Sequence, residues 1–268
     1  MSEKTNVEHY NSSYGNFESE LFSSIRSEVF GVDIGQNGWL TAEEQDIFIE
    51  WLELSASSIF LDIACGSGGP TLRIAQKTDC QGYGIDIHPQ GIEAANAQAL
   101  KQGFSNKVRF QTVNASQKLP FEDGSFDGLI CIDAVNHLPE RAKVFDEWAR
   151  ILRPGGSLVF TDPITVTGPL TNEEIRIRSS IGFFLFVPDG LDEELLTASG
   201  FEIKNKFDRT ENMARIAHLW FKARQKREAE LRKIEGDETF DGQQTFFNVT
   251  ARLASERRLS RFAFQAIR

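Results

Sequence analysis

The apolar positions of this chain change their period several times, and each change marks an element. Phe17, Leu21, Phe22, Ile25 and Val29 recur at helical spacing, as do Ile47, Phe48, Trp51 and Leu52. The second set follows Thr41-Ala42-Glu43-Glu44, which reads as a capping box with Glu44 turning back on Thr41. Residues 17–54 are therefore expected to be helical. From Ser58 the pattern becomes a short apolar run, Ile59-Phe60-Leu61-Asp62-Ile63, expected as a buried strand.

The alternation continues. A helix opens at Pro70, a residue suited to the first helical position. Gly82–Ile87 predicts a second strand, Pro89 to about Gly103 a helix, Lys107–Gln111 a third strand and Phe126–Ile132 a fourth. Pro139–Leu152 predicts a helix stopped by Arg153-Pro154-Gly155-Gly156, and Ser157–Thr161 a fifth strand. Asp189–Ser199 reads as helix and Phe201–Phe207 as strand. Thr210–Ile234 reads as one long helix, about 243–257 as another, and Leu259–Ile267 as the last strand. Strands separated by helices imply an α/β fold, a mostly parallel sheet with helices on both faces. Ligands of such sheets bind beyond the carboxyl ends of the strands, so the residues after each strand carry the functional question.

Composition narrows the partners. With 268 residues, 40% hydrophobic and 25% charged, the chain suits one large globular domain, or one with an elaborated cap. Its 29 basic and 39 acidic residues give a net charge of −10, which offers no net attraction to nucleic-acid phosphates or anionic lipid. Cys65, Cys80 and Cys131 form no C-x-x-C pair, and no His/Asp/Glu set has metal-ligand spacing, so no metal is expected. The polar N-terminus is not a signal peptide, and no apolar run matches a membrane span. The expectation is a cytoplasmic protein. Twenty-two phenylalanines supply aromatic surface for a large core or an apolar pocket.

The first strand ends in Asp62-Ile63-Ala64-Cys65-Gly66-Ser67-Gly68-Gly69-Pro70. Glycines there permit positive φ and close approach of a ligand, and the following helix offers N–H groups to an anion. The loop lacks the P-loop lysine, and Thr71 stands where a dinucleotide fingerprint needs its last glycine. What remains is an acid at a strand end before a glycine turn, a pattern that suits an ammonium or hydroxyl better than a pyrophosphate. Asp86 ends the second strand, where a carboxylate can accept both hydroxyls of a ribose. Asn114-Ala115-Ser116 follows the third strand, and Cys131–Pro139 follows the fourth.

Taken in order, Leu61–Gly68, Gly84–Ile87, Leu119–Asp127 and Ile151–Asp162 resemble the class I S-adenosylmethionine-dependent methyltransferases. The resemblance covers residues 58–162 closely. It departs at Ala64, where the family usually has glycine; a slightly altered loop with retained cofactor binding is expected. The family implies a Rossmann-like, seven-stranded sheet whose last strand is antiparallel. It also implies an N-terminal helical lid at 1–57 and a cofactor-binding domain at 58–268, with a substrate-side insertion at about 163–187. Asp62, with the backbone of Ala64, Gly66 and Gly68, would hold the methionine end of S-adenosylmethionine. Asp86 would bind the ribose, Ile87 would pack on the adenine, and Asn114 and Ala115 would meet its edge. Asp133, Ala134 and His137 would lie near the sulfonium and the acceptor.

Methyl transfer from a sulfonium needs alignment first, for which about 7–11 kcal/mol is available in favourable cases. A general base matters only for a protonated acceptor. His137 is the best-placed base, and Asp162 is a second group that could orient an amine or hydroxyl. Tyr14 and Trp39 are lid candidates, and Arg176 and Phe183 are candidate acceptor contacts, beside Arg178, Phe184 and Phe186. His137–Val144, Phe160–Pro163 and Asp208–Ala214 are similar to the small-molecule branch that includes the glycine, sarcosine and dimethylglycine N-methyltransferases. That similarity implies a small acceptor, an amine nitrogen first, with oxygen or carbon as alternatives. The other readings are a cofactor-binding protein without catalysis and a nicotinamide oxidoreductase. A nucleic-acid methyltransferase conflicts with the charge and with the missing Asn/Asp-Pro-Pro-Tyr/Phe motif. The C-terminal helices would cap the pocket or build a homo-oligomer.

Overall fold

The computed structural model describes Phe17 and residues 19–268; Tyr14 lies outside the described residues. The first elements are α1 (Glu20–Phe30), α2 (Ala42–Leu52), β1 (Ile59–Ile63), α3 (Gly69–Thr78), β2 (Gln81–Asp86), α4 (Pro89–Lys101) and β3 (Val108–Thr112). Next come β4 (Phe126–Cys131), a 3-10 turn at Val135–His137, α5 (Arg141–Ile151), β5 (Leu152–Val166), α6 (Asn172–Arg178) and β6 (Val187–Pro188). The chain ends with α7 (Leu191–Ala198), β7 (Glu202–Asp208), α8 (Thr210–Gln225), α9 (Glu228–Glu235), α10 (Asp237–Ser255) and β8 (Leu259–Ile267).

The sheet runs β3-β2-β1-β4-β5-β8-β7, with β6 paired to the far end of β5. β1 to β5 pair in parallel, and β8 lies antiparallel between β5 and β7. The apolar run of β1, interrupted only by Asp62, follows from burial on both faces. Leu61 and Ile63 enter the core with Phe145 and Trp148 of α5. Phe60 enters the opposite core, with Phe48 of α2, Leu72 of α3 and Ile92 of α4. A third cluster joins Ile25 and Val29 of α1 to Trp220 of α8 and Phe240 and Phe246 of α10.

Four local expectations change. The Pro154-Gly155-Gly156 turn does not delay the fifth strand, because β5 is continuous from Leu152. Gly155 N–H donates to Arg268 O at 2.8 Å and Arg268 N–H to Gly156 O at 3.0 Å, so the C-terminus pairs with the turn. The expected single helix over 210–234 breaks between Gln225 and Glu228, and the next helix begins at Asp237. The stretch 163–187 contains α6, opened by a full capping box between Thr171 and Glu174. The box at Thr41 is only half made: Thr41 Oγ1 accepts from Glu44 N–H at 3.2 Å, while Glu44 Oε1 accepts from Arg261 Nη1 at 2.6 Å. A distant arginine outcompetes the local partner.

The segment between α1 and α2 crosses the glycine turn at close range. A Cβ on Gly69 would lie 2.2 Å from Ile34 O, so this crossing requires a residue without a side chain there.

Candidate active site

The carboxyl ends of β1, β2 and β4 and the loop after β3 border a cavity of about 770 Å³. Asp62, Ala64, Gly66, Asp86, Ile87, Asn114, Ala115, Asp133 and Ala134 all line it. Gly68 does not. It caps α3 at φ 77, and a Cβ there would meet Ala95 and Phe110 at 2.7 Å, so its requirement is packing of the turn.

Asp62 is buried and accepts from Thr71 Oγ1 at 2.6 Å. Burial pushes its carboxyl up to about 7; the Thr71 hydroxyl opposes this and the charge of Asp86 adds to it. A buried acid facing a cavity suits a cationic amino group, which would restore its charge. Asp86 accepts from Gly66 N–H on Oδ2 at 2.9 Å and from His88 N–H on Oδ1 at 2.9 Å. It thus ties the glycine turn to the end of β2. Ile87 is 46% exposed, an apolar side chain presented to the cavity beside the acid. Asn114 Oδ1 accepts from Ser116 N–H at 2.9 Å, which shapes the loop after β3. Ala64 stands at φ 61. That is why glycine is usual here, and alanine bears a strain of about 1–2 kcal/mol. The residues present fit S-adenosylmethionine: an acid for its amino group, an acid for its ribose and an apolar face for its adenine.

A second cavity of about 370 Å³ adjoins the first, and Asn37, Gly38, Asp133 and His137 line both. Its walls include Phe22, Trp39, Phe184, Trp220, Phe246 and Phe247. Arg26, Arg178, Arg224 and Glu235 also line it, with Arg26 paired to Asp33 and Arg224 to Glu235. Arg178 is buried, donates to Thr250 Oγ1 at 2.8 Å and lies over the Phe246 ring at 4.4 Å.

His137 stands where the cavities meet. Its Nδ1 lies 2.9 Å from Phe183 O, so Nδ1 carries the proton donated to that carbonyl and Nε2 carries the lone pair. Burial lowers its pKa to about 4, so the ring is neutral near pH 7. Phe183 lines the cofactor cavity and Trp39 the smaller one.

Besides Gly68, two candidates fall elsewhere. Asp162 lines neither cavity; it is fully buried, accepts from Arg141 Nη1 at 2.8 Å and caps Ile164 N–H at 2.8 Å. Asp162 lies two positions after Phe160, so strand alternation puts its carboxylate on the face of β5 that packs against α5. Arg176 also lines neither cavity; it is exposed and paired with Glu173 at 2.6 Å, and Arg178, two positions on, faces the smaller cavity instead. Asn37, Gly38, Trp220, Arg224, Phe246 and Phe247 escaped sequence reasoning as individual residues. They lie in segments without motifs. Among the described residues no cluster of three or more His, Cys, Asp or Glu could hold a metal ion, and no helix is long and apolar enough to cross a membrane.

Residues 61–160 match the family model described as a methyltransferase domain. The chain is 32% identical over 185 residues to the 27-O-demethylrifamycin SV methyltransferase of Amycolatopsis mediterranei, spanning 65% of this chain and 67% of that protein. It superposes on the cyclopropane synthase MmaA2 of Mycobacterium tuberculosis with a TM-score of 0.82 at 19% identity, covering 98% of both chains. A structure assigned as a sarcosine dimethylglycine methyltransferase, from Galdieria sulphuraria, gives 0.78 at 20% identity, covering 94% of this chain and 98% of that one. The two structures speak to the fold. On sequence, fold and cavity chemistry together, the chain belongs to the S-adenosylmethionine-dependent methyltransferases that act on small molecules.

Proposed function

We propose that this protein methylates a hydroxyl oxygen of a small acceptor held in the 370 Å³ cavity. The observation that carries this reading is His137, neutral and placed where the acceptor cavity opens into the cofactor cavity. Bound S-adenosylmethionine supplies an electrophilic methyl on a sulfonium, whose S–CH3 bond breaks as the acceptor–CH3 bond forms. Asp62 binds the amino group of the methionine end, and Asp86 holds the ribose. Asn37, Gly38 and Asp133 border both cavities and set the path between them. His137 Nε2 accepts the hydrogen bond of the acceptor hydroxyl and takes its proton as the new bond forms. The aromatic walls exclude water. Residues 1–57 act as a lid in this reading, and 163–187 supply the acceptor-side wall through Pro163, Arg178 and Phe184.

Named relatives methylate oxygen, carbon and nitrogen. The resemblance placed an amine first, and the aromatic walls favour a cation to that extent. The two acids of the lining, Asp133 and Glu235, are already paired with Arg261 and Arg224. An ammonium acceptor would therefore find no carboxylate of its own, and oxygen is the better reading. Incubation with S-adenosylmethionine and a panel of phenols, hydroxyketones and amines tests it, read as S-adenosylhomocysteine formed. Turnover is expected with hydroxylated acceptors. Turnover on amines alone, or on nothing, overturns the assignment.

A further inference from the structure

Thr71, the residue that breaks the dinucleotide fingerprint, is fully buried near the start of α3 and donates from Oγ1 to Asp62 Oδ2 at 2.6 Å. A hydroxyl has one hydrogen, and this bond uses it. Asp62 Oδ1 makes no hydrogen bond among the described residues, and Asp62 lines the larger cavity. One carboxylate oxygen is thus fixed while the other is left for a ligand. α3 is held independently of Asp62. Gln45 Nε2 of α2 donates to Pro70 O at 2.8 Å, and Leu72 and Ile74 are buried in the core that Phe60 of β1 shares. The helix, and not the carboxylate, sets where the hydroxyl stands.

We infer that Thr71 is a positioning residue for the cofactor: its hydroxyl holds Asp62 as a carboxylate, with Oδ1 turned to the cavity, for the amino group of S-adenosylmethionine. The inference rests on Asp62 being the partner of that amino group, and it adds the residue that keeps Asp62 fit for the task. Burial pushes the Asp62 carboxyl up to about 7; the Thr71 hydroxyl opposes this and the charge of Asp86 on β2 adds to it. A hydrogen bond donated to a carboxylate favours the charged form, so without the hydroxyl Asp62 keeps its proton to higher pH. Among the described residues no cation pairs with Asp62 to take over. Arg73 and Lys77 of α3 are turned to Asp46 of α2. Cys65 in the turn and Cys131 on β4 feel the charge of Asp62, but burial raises both thiols and keeps them neutral. Of the other groups on the cavity, His88 is bonded to Asp86, Asp133 is paired with Arg261, and His137 is neutral.

Two probes test this without turnover: S-adenosylhomocysteine, which carries the same amino group, and methylthioadenosine, which lacks it. Thr71→Val keeps the shape of the side chain and removes the hydroxyl. It should weaken S-adenosylhomocysteine binding about tenfold at pH 6, the low end for a hydrogen bond to a charged group, and by less than about twofold at pH 9, where Asp62 is ionised with or without the hydroxyl. Methylthioadenosine should bind the variant and the unaltered protein alike at both pH values. Thr71→Ser keeps the donor and should restore the original pH profile. Thr71→Ala also lacks the donor and decides the matter if Thr71→Val misfolds. A penalty of equal size at pH 6 and pH 9, one shared by methylthioadenosine, or none at all would overturn the inference and leave Thr71 as packing of the turn. Asp62→Asn separates this failure from that of the assignment beneath it. If Asp62→Asn weakens S-adenosylhomocysteine binding and Thr71→Val does not, the inference falls and Asp62 keeps its role. If Asp62→Asn binds as tightly as the unaltered protein, Asp62 does not hold the amino group and both fall. Methyl transfer to a hydroxylated acceptor is a separate measurement that neither result touches.

Discussion

Arg261 of β8 grips Asp133 beyond β4 with a two-pronged contact, Nε to Oδ1 at 2.6 Å and Nη2 to Oδ2 at 3.3 Å. Asp133 Oδ2 also accepts from Trp39 N–H at 2.8 Å, and Arg261 Nη1 donates to Glu44 at 2.6 Å. One buried ion cluster thus joins the last strand, the end of β4 and the segment that leads into α2. Asp133 itself stands at φ 53, and a Cβ on Gly38 would lie 2.7 Å from its Oδ2. The cluster forms part of the partition between the two cavities.

Removing one charge from this cluster leaves the others buried without compensation. Arg261→Ala is expected to destabilise the fold by about 3–5 kcal/mol, measured by urea unfolding. A loss under about 1 kcal/mol would show that the cluster is not coupled in this way.

Asp62 makes cofactor binding depend on pH. Its carboxyl is pushed up to about 7, so it is mostly protonated at pH 6 in the ligand-free protein. A bound ammonium favours the carboxylate. Binding at pH 6 should therefore release a proton, and affinity should fall as pH drops below about 7. Calorimetry in buffers of different ionisation enthalpy measures the release; none at pH 6 would contradict the assignment. The sign for stability is opposite in the ligand-free protein. Between pH 3.8 and 7 the fold binds a proton that the unfolded chain does not, so this contribution is lost as pH rises through 7.

His137, with its pKa lowered to about 4, remains neutral across pH 6–8. The pH profile of kcat should show no inflection from it in that range. His137→Asn should lower kcat about 10²-fold, the low end for a weak base, with cofactor Kd altered far less. Equal turnover by the variant would remove His137 from proton transfer. Its shift also makes the fold less stable as pH falls from 6.5 towards 4, because the unfolded chain takes up the proton first.

Asp86→Ala should weaken S-adenosylmethionine binding by about tenfold to a hundredfold, the worth of one or two hydrogen bonds to a charged group. Fluorescence or calorimetric titration reads the effect. The loss includes the anchor of Gly66 N–H on Asp86 Oδ2 at 2.9 Å, so the turn loosens together with the ribose contact.

Gly69→Ala should disturb the crossing of residues 34–35 over the glycine turn, because its Cβ would fall 2.2 Å from a backbone oxygen that cannot move alone. Weaker cofactor binding and faster proteolysis before Thr41 are the expected readouts. Unchanged behaviour in both would mean the crossing relaxes without cost.

Much of this was legible in the chain itself. Short apolar runs and period-3.6 patterns are local, and short strands ending in Asp62 and Asp86 before a glycine turn and a proline carry their chemistry within a few residues. The residues named for the cofactor from the chain gather on one cavity, except Gly68, which packs the turn instead. The acceptor side was not legible in this way. Asp162 and Arg176 looked suitable by type, yet the face of β5 that Asp162 shares with Phe160 and an exposed helical turn at Arg176 direct them to Arg141 and Glu173. Glu44 left its expected cap for Arg261, 217 residues away in sequence. Trp220, Arg224 and Asn136 become neighbours of one cavity only when α8 folds over the strand ends. Local sequence decides conformation through near-neighbour sterics and burial period. Which side chains share a cavity is decided by long-range packing, and only the tertiary structure supplies that.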